Sequence, residues 1–150
     1  DYFEEKADHL LDLNSGFQRY RVSRVLAIHL PNRGDRVIDV GCGWGTFSFA
    51  LADRVAEVVG IDFSEKSVEI CNHRLVKNPH QNLRFLCSDA GDTGLEGGTF
   101  DVAIAADIFE HLYPDGDQHM LYPFLWARTY GTRSWKSFTY DYSRSAAQCQ

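Results

Sequence analysis

The chain has 150 residues, 44% of them apolar, which is enough for one domain with a sizeable core. Its 15 basic and 21 acidic residues give a formal charge of −6, and no run of lysines and arginines forms a local basic patch. A surface of that sign repels phosphate backbones, so nucleic acid is not an expected partner.

The four cysteines are scattered and form no Cys-x-x-Cys pair, so neither a disulfide framework nor a metal site is expected. No signal-peptide pattern opens the chain, and no apolar run reaches the roughly 18 residues that cross a membrane. These features predict a protein of the reducing cytoplasm that has no membrane partner.

The N-terminal segment, residues 1–34, is expected to be helical. Residues 1–13 are amphipathic, and Asn14-Ser15-Gly16 then breaks the first helix and offers cap chemistry for a second. Apolar residues repeat at helical spacing in this second helix, and Pro31 follows as a stop.

The central segment, residues 35–130, alternates strands with helical patterns, which predicts βαβ units and a parallel sheet. Helices are expected over residues 46–54 and from a Ser64 cap to Asn78-Pro79. Four strands are expected, at Arg36–Val40, Glu57–Ile61, Leu83–Cys87 and Asp101–Ala106.

The C-terminal stretch departs from this alternation. Residues 116–130 are predicted to form a helix, with Gly131 placed to cap its C-terminus. Trp135–Tyr142 alternates loosely, which leaves a fifth strand open. The rest of residues 131–150 matches neither a helical nor a strand pattern. We interpret it as an atypical tail and leave open whether it is folded or disordered.

The strongest signal for a ligand site is a strand that runs into three glycines, Gly41, Gly43 and Gly45, with a helix directly behind them. Glycines let the backbone turn tightly and let a ligand approach without a Cβ in the way. The helix N-terminus offers N–H groups to a polar ligand group, whereas a tight structural turn is the alternative. Dinucleotide-binding loops place the third glycine one residue later, at Thr46, so the spacing disfavours NAD.

Acidic residues follow the next two strands. Asp62 lies 21 residues after Gly41, where a carboxylate can accept hydrogen bonds from both ribose hydroxyls of an adenosine. The alternative is an ordinary turn before the helix that Ser64 caps. After the third strand, Asp89 and Ala90 could meet the polar edge of adenine, and an aspartate in a polar loop is the alternative.

Together these segments resemble the class I S-adenosylmethionine-dependent methyltransferases, in particular those that act on small molecules, including quinone-biosynthesis enzymes. The resemblance covers about residues 35–113 and implies an α/β fold: a Rossmann-like parallel sheet with helices on both faces, incomplete at its C-terminal end. It rests on four elements in the family's order, Asp39-x-Gly41-x-Gly43-x-Gly45, Gly60-Ile-Asp62, Ser88-Asp89-Ala90, and Phe100-Asp101-Val102 followed by Glu110-His111-Leu112.

The resemblance implies S-adenosylmethionine as cofactor, S-adenosylhomocysteine as product and a small-molecule methyl acceptor as partner. In this family the glycine loop holds the methionine moiety, a role that would fall here to Asp39, Gly41 and Gly43. Cys42 and Gly45 are expected as further cofactor-binding residues of the same loop. The resemblance also assigns contacts with the rest of the cofactor. Asp62 would bind the ribose hydroxyls, and Phe63 would lie against the face of adenine. Asp89 and Ala90 would contact the polar edge of adenine, and Asp107 would lie near the methyl-donor end.

Methyl transfer is a direct displacement at an activated sulfonium carbon, so alignment of the reacting groups carries most of the effect. A hydroxyl acceptor of high pKa benefits from a general base, and His111 is the candidate because it follows the fourth strand and can titrate near neutral pH. The alternative, which we favour, is a histidine at a helix start that bonds to backbone or solvent.

Beyond the fourth strand the resemblance fails, because Trp126–Gly131 stands near the family's Leu-x-Pro-Gly-Gly turn and contains no Pro-Gly-Gly. We interpret the chain either as a truncated or altered form of a longer enzyme or as a fragment cut to the cofactor half. Both interpretations leave an exposed sheet edge, through which a homodimer could form.

The leading hypothesis is an enzyme that transfers a methyl group from S-adenosylmethionine to a small-molecule oxygen, nitrogen or carbon. The main alternative is a non-catalytic cofactor-binding or partner-binding remnant of such an enzyme. An NAD-dependent oxidoreductase is a more distant alternative.

Overall fold

The structure is a computed structural model that describes residues 15–106, 124–127 and 136–139. Its first helix, α1, spans Gly16–Ile28, and the Ser15 side chain accepts a hydrogen bond from the Gln18 N–H at 3.2 Å, as the sequence predicts for the second helix. The chain leaves the helix three residues before Pro31. The helix expected over residues 1–13 lies outside the described residues.

Four parallel strands form the central sheet in the order β3-β2-β1-β4. The chain runs outward from β1 to β2 and β3 and then returns to the other side of β1, so the strand order reverses between β1 and β4. The predicted strand positions are confirmed, with bounds at β1 (Arg36–Val40), β2 (Glu57–Asp62), β3 (Leu83–Cys87) and β4 (Val102–Ile104).

Two helices connect the first three strands. Helix α2 spans Thr46–Ala52 between β1 and β2, and helix α3 spans Glu65–Lys77 between β2 and β3. The Ser64 side chain caps α3, because its oxygen accepts a hydrogen bond from the Ser67 N–H at 3.3 Å. Asn78 closes the helix as its C-cap, as the sequence predicts.

All three helices pack on the same face of the sheet. The apolar cluster on that face takes Val25 and Leu26 from α1, Phe49, Leu51 and Ala52 from α2, and Val68, Cys71 and Leu75 from α3. The opposite face carries Ile38, Val59 and Ile61, against which the loop residues Leu95 and Phe100 pack. The described residues therefore place helices on one of the two faces that the sequence predicts to be covered.

Close approach of α2 to the sheet depends on Gly60 in the middle of β2. A Cβ at this position would lie 2.6 Å from Phe85 Cδ1 and 2.9 Å from Ser48 Oγ. The absence of a Cβ at Gly60 therefore leaves space for side chains of α2 and β3 to meet over β2. This packing holds the start of α2 beside the ends of the strands.

A second, two-stranded sheet pairs β5 (Phe124–Ala127) with β6 (Lys136–Thr139) in antiparallel orientation. The helix predicted over residues 116–130 is therefore wrong at β5. A short apolar and aromatic run fits a strand as well as a buried helix, and periodicity alone does not separate the two. The strand left open within Trp135–Tyr142 is present at β6.

None of the helices in the described part of the chain is long and apolar enough to cross a membrane.

Candidate cofactor-binding site

The loop between β1 and α2 has an unusual backbone. Gly41, Gly43 and Gly45 all adopt positive φ angles, of 69°, 52° and 82°, a conformation that side chains with a Cβ rarely take. At Gly45 an added Cβ would meet the Phe49 ring at 3.0 Å, whereas at Gly43 it would meet none of the described residues within 4 Å. Glycine at Gly45 thus serves packing, and glycine at Gly43 leaves open space beside the loop.

The end of β2 holds this loop in place. The backbone N–H groups of Gly41 and Cys42 both donate to the Ile61 carbonyl, at 2.8 and 2.9 Å. The next residue, Asp62, accepts the Gly43 N–H on Oδ2 at 2.8 Å and the Ser64 N–H on Oδ1 at 2.9 Å. One carboxylate therefore joins the glycine loop to the start of α3.

The Asp62 side chain keeps capacity for a ligand in this arrangement. Asp62 is 9% exposed, and within the described part of the chain each of its carboxylate oxygens, which has two lone pairs, receives one backbone hydrogen bond. Its backbone carbonyl accepts the Ser88 N–H at 2.9 Å, which brings the end of β3 beside it. The carboxyl ends of β1, β2 and β3 therefore meet around Asp62.

Asp39 lies beneath the loop, and its side chain faces α2. It is 1% exposed, and its Oδ2 accepts the Ser48 hydroxyl at 2.5 Å. The pKa of this carboxyl is raised to about 6, chiefly by burial. The hydrogen bonds from Ser48 lower the pKa, as does the charge of Arg21, whereas the charge of Asp62 adds to the increase. Its contact in the structure is thus with α2, and direct contact with the methionine moiety stays a prediction.

Helix α3 contacts the underside of the same loop through two side chains. The buried Cys71 thiol donates to the Gly43 carbonyl at 3.3 Å, and Arg74 Nη1 donates to the Trp44 carbonyl. The Arg74 guanidinium also lies 4.8 Å from the centroid of the Phe49 ring, and burial lowers the pKa of this group. No sequence signal indicates either contact with the loop.

Cys42 lies within the loop as a buried thiol whose Sγ is 3.9 Å from the Gly43 carbonyl oxygen. The neighbouring Cys71 thiol and burial raise the pKa of the Cys42 thiol, so it stays protonated at neutral pH. Its side chain therefore packs behind the loop as a small apolar group.

The residues expected around adenine lie at the same end of the sheet. The Phe63 side chain, directly after Asp62, is 80% exposed. Asp89 is also exposed, and its Oδ1 accepts the Gly91 N–H at 2.6 Å, while Ala90 is half-buried. Asp107 and His111, the expected methyl-donor contact and candidate base, lie outside the described residues.

No group of three or more histidine, cysteine, aspartate or glutamate side chains within the described ranges could hold a metal ion.

Residues 37–123 match the family described as a methyltransferase domain. This match covers 87 of the 150 residues, counting from 37 to 123. The chain belongs to the methyltransferase domain family. The family resemblance and the Rossmann-like fold inferred from the sequence are thereby confirmed, and S-adenosylmethionine is the cofactor that membership of the family implies.

Two curated relatives illustrate the range of acceptors among similar methyltransferases. The chain is 36% identical over 84 residues to a ubiquinone biosynthesis O-methyltransferase from Azoarcus sp. (strain BH72). This alignment covers 56% of this chain and 36% of the relative. It is 34% identical over 93 residues to the 23S rRNA (uracil(1939)-C(5))-methyltransferase RlmD from Alkalilimnicola ehrlichii, covering 59% of this chain and 21% of the relative. The absence of nucleic acid as a partner therefore stays a prediction.

Among solved structures, a SAM dependent methyltransferase from Aquifex aeolicus matches this methyltransferase domain with a TM-score of 0.62 and 27% identity. The match covers 72% of this chain and 58% of that chain. The curated relatives are longer than this chain, which spans between 11% and 36% of their length.

Proposed function

We propose that this methyltransferase domain binds S-adenosylmethionine at the carboxyl ends of β1, β2 and β3 and serves an enzyme that methylates a small-molecule oxygen, nitrogen or carbon. The observation that carries the proposal is the junction at Asp62, whose carboxylate joins the Gly43 N–H of the glycine loop to the Ser64 N–H of α3. A ligand that fits there has hydroxyl donors for a carboxylate and lies along a glycine loop.

The residues around this junction fit an adenosyl group. The lone pairs of Asp62 that the described residues leave unused suit two vicinal ribose hydroxyls, and the exposed Phe63 ring next to it offers a face for adenine to stack on. Asp89, which unlike Asp62 is exposed, supplies a second carboxylate after the end of β3 for an exocyclic amino group. The open space beside Gly43 leaves room for the methionine part of the ligand along the loop.

The bound cofactor supplies a methyl group already activated by a positively charged sulfur. The residues of this chain would bind and orient the cofactor, so that the acceptor atom, the methyl carbon and the sulfur lie in line. A general base is required only for an acceptor such as a hydroxyl, and we keep His111 as a candidate for that role. Asp107 remains the candidate neighbour of the methyl-donor end.

A small-molecule acceptor is favoured by the formal charge of −6, which disfavours a phosphate backbone. The ubiquinone biosynthesis relative supports the same choice. The three cysteines of the described residues, Cys42, Cys71 and Cys87, are free thiols, which supports the expected cytoplasmic location. A homodimer through an exposed sheet edge stays a prediction.

Calorimetric titration of S-adenosylhomocysteine into the chain tests the cofactor site. We expect saturable binding that Asp62→Ala weakens at least about tenfold, since the substitution removes a charged acceptor of ligand hydroxyls. Asp53→Ala is the matched control, because it removes the same charge from a side chain that is 82% exposed and contacts His80 rather than the loop. Saturable binding of NAD in place of S-adenosylhomocysteine would contradict the proposal.

The acceptor class is tested by transfer of a radiolabelled methyl group from S-adenosylmethionine to fractions of a cell extract. We expect label in the small-molecule fraction. Label in the RNA fraction would overturn the choice of acceptor and leave the cofactor site intact. Cofactor binding without label in any fraction would favour the non-catalytic alternative.

A further inference from the structure

The face of α3 that packs under the glycine loop carries Cys71 and Arg74, three residues apart and therefore side by side on the helix. Cys71 donates to the Gly43 carbonyl at 3.3 Å, and Arg74 donates to the Trp44 carbonyl. Two consecutive carbonyls of the loop are thus held from below by one helix.

Holding a carbonyl fixes more than one atom, because the peptide unit is planar and its C=O and N–H groups point in opposite directions. The bonds to Gly43 and Trp44 therefore set the directions of the next two N–H groups, those of Trp44 and Gly45. The Gly45 N–H donates to the Cys42 carbonyl at 2.8 Å, which closes the turn. The whole segment then has one defined shape.

The loop needs such support because glycine has little conformational preference of its own. Gly43 and Gly45 adopt positive φ angles, and no residue in the described ranges lies within 4 Å of a Cβ position at Gly43, where it could hold the loop by packing. If only a fraction of molecules has the binding-competent loop, the apparent affinity for a ligand falls by that fraction.

The two side chains from α3 are themselves well anchored. Cys71 is fully buried in the apolar cluster. The Arg74 guanidinium lies 4.8 Å from the Phe49 ring of α2, the helix that follows the loop. Arg74 therefore contacts both the loop carbonyl and the first helix after it.

We propose that Cys71 and Arg74 are positioning residues of the cofactor site, which hold the loop Gly43–Gly45 in the conformation that accepts the ligand without touching the ligand themselves. The proposal rests on the proposed function, since the loop is taken to bind S-adenosylmethionine. It assigns a role in ligand affinity to a helix face that neither the glycine motif nor the acidic residues include.

Two pairs of variants test the proposal by calorimetric titration with S-adenosylhomocysteine. Cys71→Ala removes the donor and is expected to weaken binding about fivefold, whereas Cys71→Ser keeps a donor and should stay within about twofold of the parent chain. Arg74→Met is expected to weaken binding at least about tenfold, and Arg74→Lys to restore part of it. Lys77→Met is the control, because it removes one positive charge from the end of the same helix.

A second measurement does not depend on the ligand. Amide hydrogen exchange of the loop, residues 41–45, should become faster in unliganded Cys71→Ala and Arg74→Met than in the parent chain, and Cys71→Ser should restore protection. Thermal unfolding of each variant shows whether the fold is kept. If Arg74→Met does not fold, the Cys71→Ala and Cys71→Ser pair carries the test.

Variants that fold, bind S-adenosylhomocysteine like the parent chain and leave loop exchange unchanged would overturn the proposal. Failure of the parent chain to bind S-adenosylhomocysteine would instead count against the proposed function, and the exchange experiment would still decide whether α3 holds the loop.

Discussion

The Asp62 carboxylate and the Gly43 N–H, 19 residues apart in the chain, are joined by a hydrogen bond of 2.8 Å. The acidic residue at the end of β2 thus shapes the glycine loop at the end of β1 even without a ligand. Because the same carboxylate also accepts the Ser64 N–H, a change at Asp62 acts on loop, helix start and ligand together. The structural and the ligand-binding parts of its role can be separated by experiment.

Replacing Asp62 should lower stability before any ligand is added. Asp62→Ala leaves two backbone N–H groups without their acceptor and is expected to cost about 2 kcal/mol, and Asp62→Asn, which keeps one acceptor oxygen, about 1 kcal/mol. Urea unfolding measures both, with Asp53→Ala as the control. Unfolding free energies equal to that of the parent chain would show that the two hydrogen bonds contribute nothing.

Stability should depend on pH through Asp39. Burial raises the pKa of this carboxyl from 3.8 to about 6, so between these values the folded chain binds more protons than the unfolded chain. Ionisation of Asp39 therefore lowers the free energy of unfolding as pH rises from about 4 to about 6. Above that range the loss of stability stays constant. A shift of this size corresponds to about 3 kcal/mol.

The variant Asp39→Asn isolates that contribution. Its amide oxygen can still accept the Ser48 hydroxyl, but it carries no charge to bury. We expect Asp39→Asn to be more stable than the parent chain at pH 8, by up to about 3 kcal/mol, and this advantage to shrink as pH falls below about 6. Urea unfolding at several pH values measures it, and a constant difference at all pH values would refute the assignment.

Gly60→Ala should destabilise the chain strongly, although it adds only one methyl group. The new Cβ would lie 2.6 Å from the Phe85 ring, so the sheet or α2 must shift, at an expected cost of about 1 to 3 kcal/mol. Gly34→Ala is the matched control, because its Cβ would meet nothing within 4 Å. Equal melting temperatures for the two variants would mean that Phe85 and α2 do not lie over Gly60 as described.

Phe63→Ala should separate ligand binding from stability. The ring is 80% exposed, so its removal should leave the unfolding free energy within about 0.5 kcal/mol of the parent chain. Loss of stacking on adenine should weaken S-adenosylhomocysteine binding by about 1 to 3 kcal/mol, and Phe63→Trp should retain binding. Val76→Ala, at a side chain that is 82% exposed on α3, is the control. Unchanged affinity in Phe63→Ala would remove this residue from the site.

The elements that the sequence predicts well are those with local causes. The β1 and β3 bounds agree with prediction because short β-branched or apolar runs end at turn residues, and Ser15 and Ser64 cap the helices as their side-chain chemistry requires. The glycine loop is recognisable for a related reason, since its positive φ angles demand glycine.

The features that sequence reasoning misses depend on tertiary contacts. Whether Asp39 faces a ligand or α2 is decided by the Ser48 hydroxyl, which only the folded chain brings to it. The contacts of Cys71 and Arg74 with the loop join residues about 30 positions apart, and no periodicity encodes them. The helix predicted over residues 116–130 is wrong at Phe124–Ala127, because antiparallel pairing with Lys136–Thr139 decides the conformation of that segment.

The most direct test of the account is a titration of the isotopically labelled chain with S-adenosylhomocysteine, followed through its amide ¹H–¹⁵N NMR spectrum. The proposed cofactor site predicts saturable shifts that centre on residues 41–45, Phe63, Ser64 and residues 89–90, and their loss in Asp62→Ala. Shifts confined to other parts of the chain would contradict it. So would the absence of any shift in a chain whose spectrum is that of a folded protein.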